Sequence, residues 1–379
     1  MKSFFILFSS FFIFSACSSC EKKPSINNTS PYGKIIVAYV YGWEDNWGEN
    51  FEKANQITHI NYAFANIKDG RVIEGSDTDT ETIEKLNTLK QVNKELKILI
   101  SVGGWSWSKN FSDAVLTDGS REVFANSAIA FMQKHKIDGI DLDWEYPGQI
   151  GDGNIYRPED KENFTAILKL LREKLDALST GNNEYLLTIA SAANQNYLDH
   201  TNMREAQKYL DFINIMSYDY HGGWENKTGH NANLYISEFD DNERKISSQL
   251  AVEQHINAGI PANKIVLGVP FYGRWWKGAD PENNGLYQAS TGITGSYNYK
   301  TITDSLSSNN GFTVYWDDSA KVPYIWRQED SLFISFDNAR SIACKVDFVK
   351  NNQLGGIMFW QFNGDNGTLM KTIFDNLYQ

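Results

Sequence analysis

The sequence predicts an α/β fold: a (β/α)8 barrel of the triosephosphate isomerase (TIM) type, with a small α+β insertion domain between strand 7 and the helix preceding strand 8. Three observations predict it. From Lys34 onward, eight short apolar runs alternate with stretches of helical periodicity. Several of those runs are almost continuously apolar, as in parallel strands buried on both faces. The chain also has no Gly-rich phosphate loop of the dinucleotide-binding type, which weakens the competing open, doubly wound sheet. With 379 residues and 41% hydrophobic content, it is long enough for one large barrel domain or two medium domains.

The chain opens on an export signal. Lys2 supplies a positive charge, and residues 4–14 are apolar but too few to span a bilayer. Ser15-Ala16-Cys17 resembles the bacterial lipoprotein cleavage box. The resemblance implies a signal peptide over residues 1–16, cleavage before Cys17 and lipidation of the new N-terminus. The alternative is an ordinary signal peptide with a chance cysteine. Residues 17–33 read as a tether, polar and containing Pro24 and Pro31.

The barrel is assigned to 34–379. Its strand candidates are 35–41, 59–65, 97–102, 139–144, 186–191, 212–218, 265–270 and 356–361. Between them, 78–95 reads as a helix opening on Thr78-Asp79-Thr80-Glu81, a capping-box pattern. Residues 161–178 place Phe164, Ile167, Leu168, Leu171, Leu175 and Leu178 on one stripe. A helix over 243–258 is stopped by Gly259 and Pro261. The connection from the seventh strand to the eighth is the longest. Within it, 276–334 alternates Gly, Tyr, Thr and Ser and carries β-like runs near 322–326 and 332–336. This is the expected insertion, on the barrel face where active sites form. Asp337 or Asn338 is the expected N-cap of the next helix.

Composition removes several functions. The formal net charge is -12, with no basic stripe, which argues against nucleic acid and against peripheral binding to anionic lipid. Membrane contact is expected only through the lipid anchor. A neutral or weakly cationic polymer remains an acceptable partner. Aromatic content is 14%, with 11 Trp and 19 Tyr, which fits either a large aromatic core or rings facing outward to stack on sugars. Cys17, Cys20 and Cys344 make neither a disulfide framework nor a metal cluster, and Cys344 is expected as an inert core thiol. His59, His135, His200, His221, His230 and His255 have no ligand spacing. No metal and no cofactor are expected.

The chemistry concentrates in Asp138-Gly139-Ile140-Asp141-Leu142-Asp143-Trp144-Glu145-Tyr146-Pro147. Side chains of a strand alternate, so Asp141, Asp143 and Glu145 share the inner side while Ile140, Leu142 and Trp144 face the helices. No Lys or Arg lies between Lys136 and Arg157 to pair with them locally. Like charges so placed raise at least one pKa, and a carboxyl kept protonated near neutral pH is what a general acid requires.

Asp138, Asp141, Asp143 and Glu145 match the DxxDxDxE signature of family 18 glycoside hydrolases, the chitinase family, which the chain resembles over most of 34–379. Ser101-Val102-Gly103-Gly104-Trp105 looks like its SxGG motif, and Met216-Ser217-Tyr218-Asp219 like its MxYD motif. Residues 355–360 look like its barrel-closing strand, ending at the active-site Trp360, and 270–274 like its seventh strand. The long insertion is similar to the chitinase insertion domain, which deepens the substrate groove.

The resemblance implies hydrolysis of chitin or chito-oligosaccharides by substrate-assisted catalysis. Glu145 protonates the glycosidic oxygen, and the substrate's own acetamido oxygen attacks the anomeric carbon. Asp143 orients the acetamide, Asp141 shares a proton with Asp143, and Tyr218 hydrogen-bonds the acetamido group. Retention of configuration follows. Trp360 would floor the catalytic subsite, with Trp105 and Trp224 as platforms on the product side. Tyr39, Phe64, Gly104, Tyr146, Met216, Asp219, Tyr272 and Arg274 are similar in position to substrate contacts. Trp43, Trp47, Trp107, Trp275, Trp276, Trp316 and Trp326 are candidates for outer subsites. The rival readings are an inactive chitin-binding lectin, which typically loses the acid at the Glu145 position, and an endo-β-N-acetylglucosaminidase acting on glycoprotein glycans. A monomer is expected.

Overall fold

The computed structural model describes residues 1, 33–41, 51–180, 184–306 and 310–378. The leader, Cys17, Cys20 and nearly all of the tether lie outside these residues, as do Trp43 and Trp47.

In chain order, β1 (Ile35–Tyr41) and β2 (His59–Lys68) begin the barrel, and β3 (Arg71–Ile73) makes a short antiparallel hairpin with the end of β2. Then follow β4 (Lys97–Gly103), β5 (Gly139–Asp143), β6 (Leu186–Ala192), β7 (Phe212–Met216) and β8 (Ile265–Pro270). β9 (Tyr272–Lys277), β10 (Ile293–Asn298), β11 (Thr313–Asp317), β12 (Val322–Arg327) and β13 (Leu332–Ser335) form a separate antiparallel sheet, and β14 (Gly356–Trp360) completes the barrel. Eight strands pair in parallel, and β1 closes the ring by pairing with both β2 and β14. All eight expected barrel strands are present.

Period-two alternation sorts the strand residues into two cores. Ile36, Ala38, Val40, Ile140, Leu142 and Trp144 join the shell between strands and helices, whereas Val37, Tyr39, Ala63, Phe212, Val266 and Met358 fill the barrel interior. The outward face of the acid strand is firmly seated. Trp144 stacks on Phe111 at 5.0 Å and 13°, and meets Phe164 edge-on at 6.0 Å. Burying each such ring contributes about 1.5–3 kcal/mol.

The helices are α1 (Asp79–Thr88), α2 (Phe111–Ala114), α3 (Asp118–His135), α4 (Asp160–Leu178), α5 (Gln195–Asp199), α6 (Met203–Ala206), α7 (Ser248–Asn257), α8 (Tyr299–Ser305), α9 (Ala339–Asn351) and α10 (Thr368–Tyr378). On α4, Phe164, Ile167, Leu168, Leu171 and Leu175 are buried, and Leu178 packs at the margin.

Several expectations need correction. The Thr78 side chain does not cap α1. The Asp79 carboxylate instead holds the loop before the helix, accepting the main-chain N–H of Gly75 (2.7 Å) and Ser76 (3.1 Å) and the Tyr62 hydroxyl (2.7 Å). The helix ends at Thr88 and tightens into a 3-10 turn over Leu89–Gln91. α7 begins at Ser248, not near 243, because the Ser247 hydroxyl caps it by accepting from Leu250 N–H. Asn338 is the N-cap of α9, in a reciprocal box with Ser341, while Asp337 is buried in an ion pair with Lys345 at 2.5 Å. Cys344 is half-buried at the edge of the core rather than within it.

The insertion starts earlier than 276. A single residue, Phe271, separates β8 from β9, so the second sheet begins at Tyr272. Trp276 and Trp326 are buried with Phe333 and Tyr324 in this sheet's own core. They pack the insertion and line no outer subsite. The chain returns from β13 through Phe336 to α9 and the last barrel strand.

Candidate active site

β5 carries the three acids upward through the barrel. Asp141 is fully buried, and three hydroxyls hold its carboxylate: Tyr39 (2.7 Å), Ser101 (2.8 Å) and Thr188. Burial pushes its pKa above the ordinary range while those hydroxyls pull it down. One turn of the pleat higher, Asp143 is buried and its Oδ1 has no hydrogen-bond partner. Burial, then the neighbouring charges of Glu145 and Asp141, push its carboxyl well above the ordinary value. The Asp141 charge reaches Asp143 and is one cause of its raised pKa. The oxygens of Asp141 are turned to the hydroxyls of β1, β4 and β6.

Glu145 lies just past the end of β5 and is 8% exposed. Its pKa is raised from 4.5 to about 7, first by burial; the Tyr146 hydroxyl lowers it, and the Asp219 charge adds to the rise. Burial is the largest cause for all three acids, and the chief charges acting on Asp143 and Glu145 are other carboxylates. An uncompensated cluster of this kind favours keeping protons on the site.

The walls are aromatic. Trp360, at the end of β14, stacks on Phe64 at 5.5 Å and 19° and meets Tyr39 at 5.8 Å and Tyr41 at 6.1 Å. Gly104 makes this wall possible. Its φ is +76°, and a Cβ there would stand 2.7 Å from the Phe64 ring. Tyr146 meets Trp105 edge-on at 6.3 Å and Tyr197 on its other side. Trp105 and Trp224 are 52% and 60% exposed, far more than packing requires. Met216 and Tyr218 join the inner cluster with Trp360, and the Tyr218 ring meets Tyr272 edge-on at 6.2 Å.

Opposite stands a polar post. The Arg274 guanidinium pairs with Asp219 (2.8 Å), to which the Tyr272 hydroxyl also donates (2.7 Å). Arg274 lies 5.4 Å from the Trp224 ring, a cation–π distance. Among the described residues, every expected site residue lies at the C-terminal mouth of the barrel or on its inner wall. Among the outer candidates, Trp275 stacks on Tyr297 and Trp316 lies under Arg340. The Trp107 ring packs against Gly75.

Sequence reasoning missed Thr188, which occupies an inward position of β6 beside Asp141 and could have been found by the same alternation that found the acids. It also missed Asn231. Its buried side-chain oxygen accepts the N–H of Asp219, a residue in the left-handed region at φ +55°, and the Asn231 main-chain N–H donates to the Ser335 hydroxyl on β13. No local pattern marks Asn231, because its partners Asp219 and Ser335 lie on two other segments. The expected structural histidines have such partners too: His230 pairs with Asp317, and His255 with Ser191.

Comparison with known proteins agrees with this geometry. Residues 35–365 match the family described as glycosyl hydrolases family 18. Chitinase A1 of Niallia circulans is 40% identical over 89% of this chain, which spans 58% of that protein's length. Chitinase 1 of Aphanocladium album is 35% identical over 83% of this chain and 79% of its own. Among solved structures, a glycoside hydrolase family 18 N-acetylglucosaminidase from Paenibacillus barengoltzii superposes with a TM-score of 0.85. It is 38% identical and covers 91% of this chain and 100% of its own. With the family's span covering the whole barrel and its acid strand in place, this chain belongs to family 18 of the glycosyl hydrolases.

Proposed function

We propose that this protein is a chitinase that cleaves β-1,4-linked N-acetylglucosamine chains with retention, using Glu145 as acid and then base. One observation carries the reading. A buried carboxyl with pKa raised to about 7 stands beside an unpartnered Asp143 oxygen, in a mouth walled by Trp360, Trp105 and Trp224. The first step breaks the C1–O bond. The proton of Glu145 goes to the leaving oxygen, and the acetamido oxygen forms the new bond to C1. Asp143 accepts the acetamide N–H, which loads electron density onto that oxygen, and Tyr218 donates to the acetamido group as charge builds. In the second step water attacks C1, the C1–O bond to the acetamido oxygen breaks, and Glu145 takes the water proton. Aromatic faces suit the C–H faces of neutral sugars.

The lectin reading leaves a proton-retaining acid without a task. The Paenibacillus relative is named an N-acetylglucosaminidase, which supports a second reading, release of N-acetylglucosamine. We further propose that the protein works as a monomer, exported and anchored to the cell envelope through Cys17. Incubation of the purified protein with chitohexaose, followed by product analysis, tests the reading. Chitobiose as the main product supports a chitinase, and the monosaccharide alone supports the second reading. Binding without cleavage supports the lectin, and release of glycans from glycoproteins with no action on chitohexaose supports the endoglycosidase.

A further inference from the structure

We propose that Ser108 is a positioning residue for Glu145, its hydroxyl holding the main chain of the acid where the barrel ladder no longer can. The inference rests on the glycosidase reading above. β5 pairs with β4 up to Gly103 opposite Asp143, and with β6 only up to Leu142 opposite Ile189. Glu145 lies beyond both ladders, so its buried N–H needs a partner from elsewhere. That partner is Ser108: Glu145 N–H donates to the Ser108 Oγ at 2.9 Å. The hydroxyl faces the carbonyl oxygens of Gly104 at 2.8 Å and Asp143 at 3.0 Å. One buried side chain thus ties together the end of β4 and the main chain of two of the three acids.

The surroundings leave this arrangement little freedom. The Gly104 N–H also donates to Asp143 O, at 2.8 Å. A Cβ on Gly103 would stand 2.4 Å from that same oxygen and 3.1 Å from the Ser108 Oγ. The Phe111 ring, stacked on Trp144, would stand 2.6 Å from the same Cβ. Removing the hydroxyl leaves the Glu145 N–H unsatisfied at the one point where the acid is not held by strand pairing. A displacement of about 1 Å at a reacting group can cost roughly 10²-fold in rate.

The leaving group separates positioning from plain structural support. A sugar leaving group needs the proton of Glu145, whereas 2,4-dinitrophenolate does not. We expect Ser108→Ala to lower kcat/KM, which reports the bond-breaking step, on chitotetraose by roughly 30-fold, and on the 2,4-dinitrophenyl glycoside of N-acetylchitobiose by less than about 3-fold. E145Q provides the reference pattern for a lost acid. Equal losses on both substrates, or no loss on either, overturn the role of Ser108. Should S108A fail to fold, Ser108→Cys keeps the volume with a weaker hydrogen-bonding group, and the same selective loss is expected at smaller size; an indiscriminate loss or none overturns the inference. A wild type inactive on both substrates overturns the glycosidase reading, and this inference with it. A leaving-group-selective E145Q beside an unselective S108A overturns Ser108 alone.

Discussion

Glu145→Gln is expected to lower kcat on chito-oligosaccharides by roughly 10³-fold, within the range a positioned general acid contributes, while the affinity for the oligosaccharide changes only a few-fold. Glutamine keeps the shape and cannot give the proton. Calorimetric binding beside steady-state rates checks both halves. The same group sets the pH dependence. Glu145 must be protonated to act, and its pKa is raised to about 7. The wild-type kcat/KM should therefore fall with rising pH through an apparent value near 7. Stability carries the matching sign. A carboxyl raised above its ordinary 4.5 favours the folded state fully below 4.5, and that contribution is lost as pH rises through 7. E145Q should accordingly have the higher Tm at pH 8, with the difference gone by pH 4.

Asp143→Asn is expected to cost roughly 10²- to 10³-fold in kcat, the scale of removing one preorganised group aimed at developing charge. Its buried Oδ1 has no partner in the protein and is free to receive the acetamide N–H. An amide there supports the nucleophile poorly, whichever leaving group departs. The loss should appear on chito-oligosaccharides and on the 2,4-dinitrophenyl glycoside alike, unlike the selective loss of E145Q. A loss confined to the oligosaccharide would show that Asp143 serves the acid and not the acetamide.

Most of the fold was legible because parallel barrel strands are buried on both faces. That burial writes apolar runs such as 265–270 directly into the sequence. The acid cluster was legible for the same reason: carboxylates at alternate positions of an apolar strand have no structural excuse. What escaped the sequence depends on tertiary partners. Thr78 looks like a cap, but its side chain makes no cap bond, and the neighbouring Asp79 is spent on the Tyr62 hydroxyl and two loop N–H groups. The hydroxyls that hold the Asp141 oxygens come from three separate strands, which no local pattern reveals. Trp276 reads like Trp275 in sequence, yet alternation along β9 sends it into the core of the insertion. The start of that insertion was missed because β9 follows β8 after one residue, which leaves no turn signal to read.

The central claim is that the substrate supplies its own nucleophile while Glu145 supplies the proton. A series of otherwise identical aryl β-glycosides of glucosamine, bearing acetyl, fluoroacetyl, difluoroacetyl and trifluoroacetyl groups on nitrogen, tests it most directly. Each fluorine weakens the acyl oxygen as a nucleophile without greatly changing its size. With the acetamido oxygen as nucleophile, kcat falls steeply and steadily along the series. A kcat independent of fluorination would contradict it and place the nucleophile on the protein.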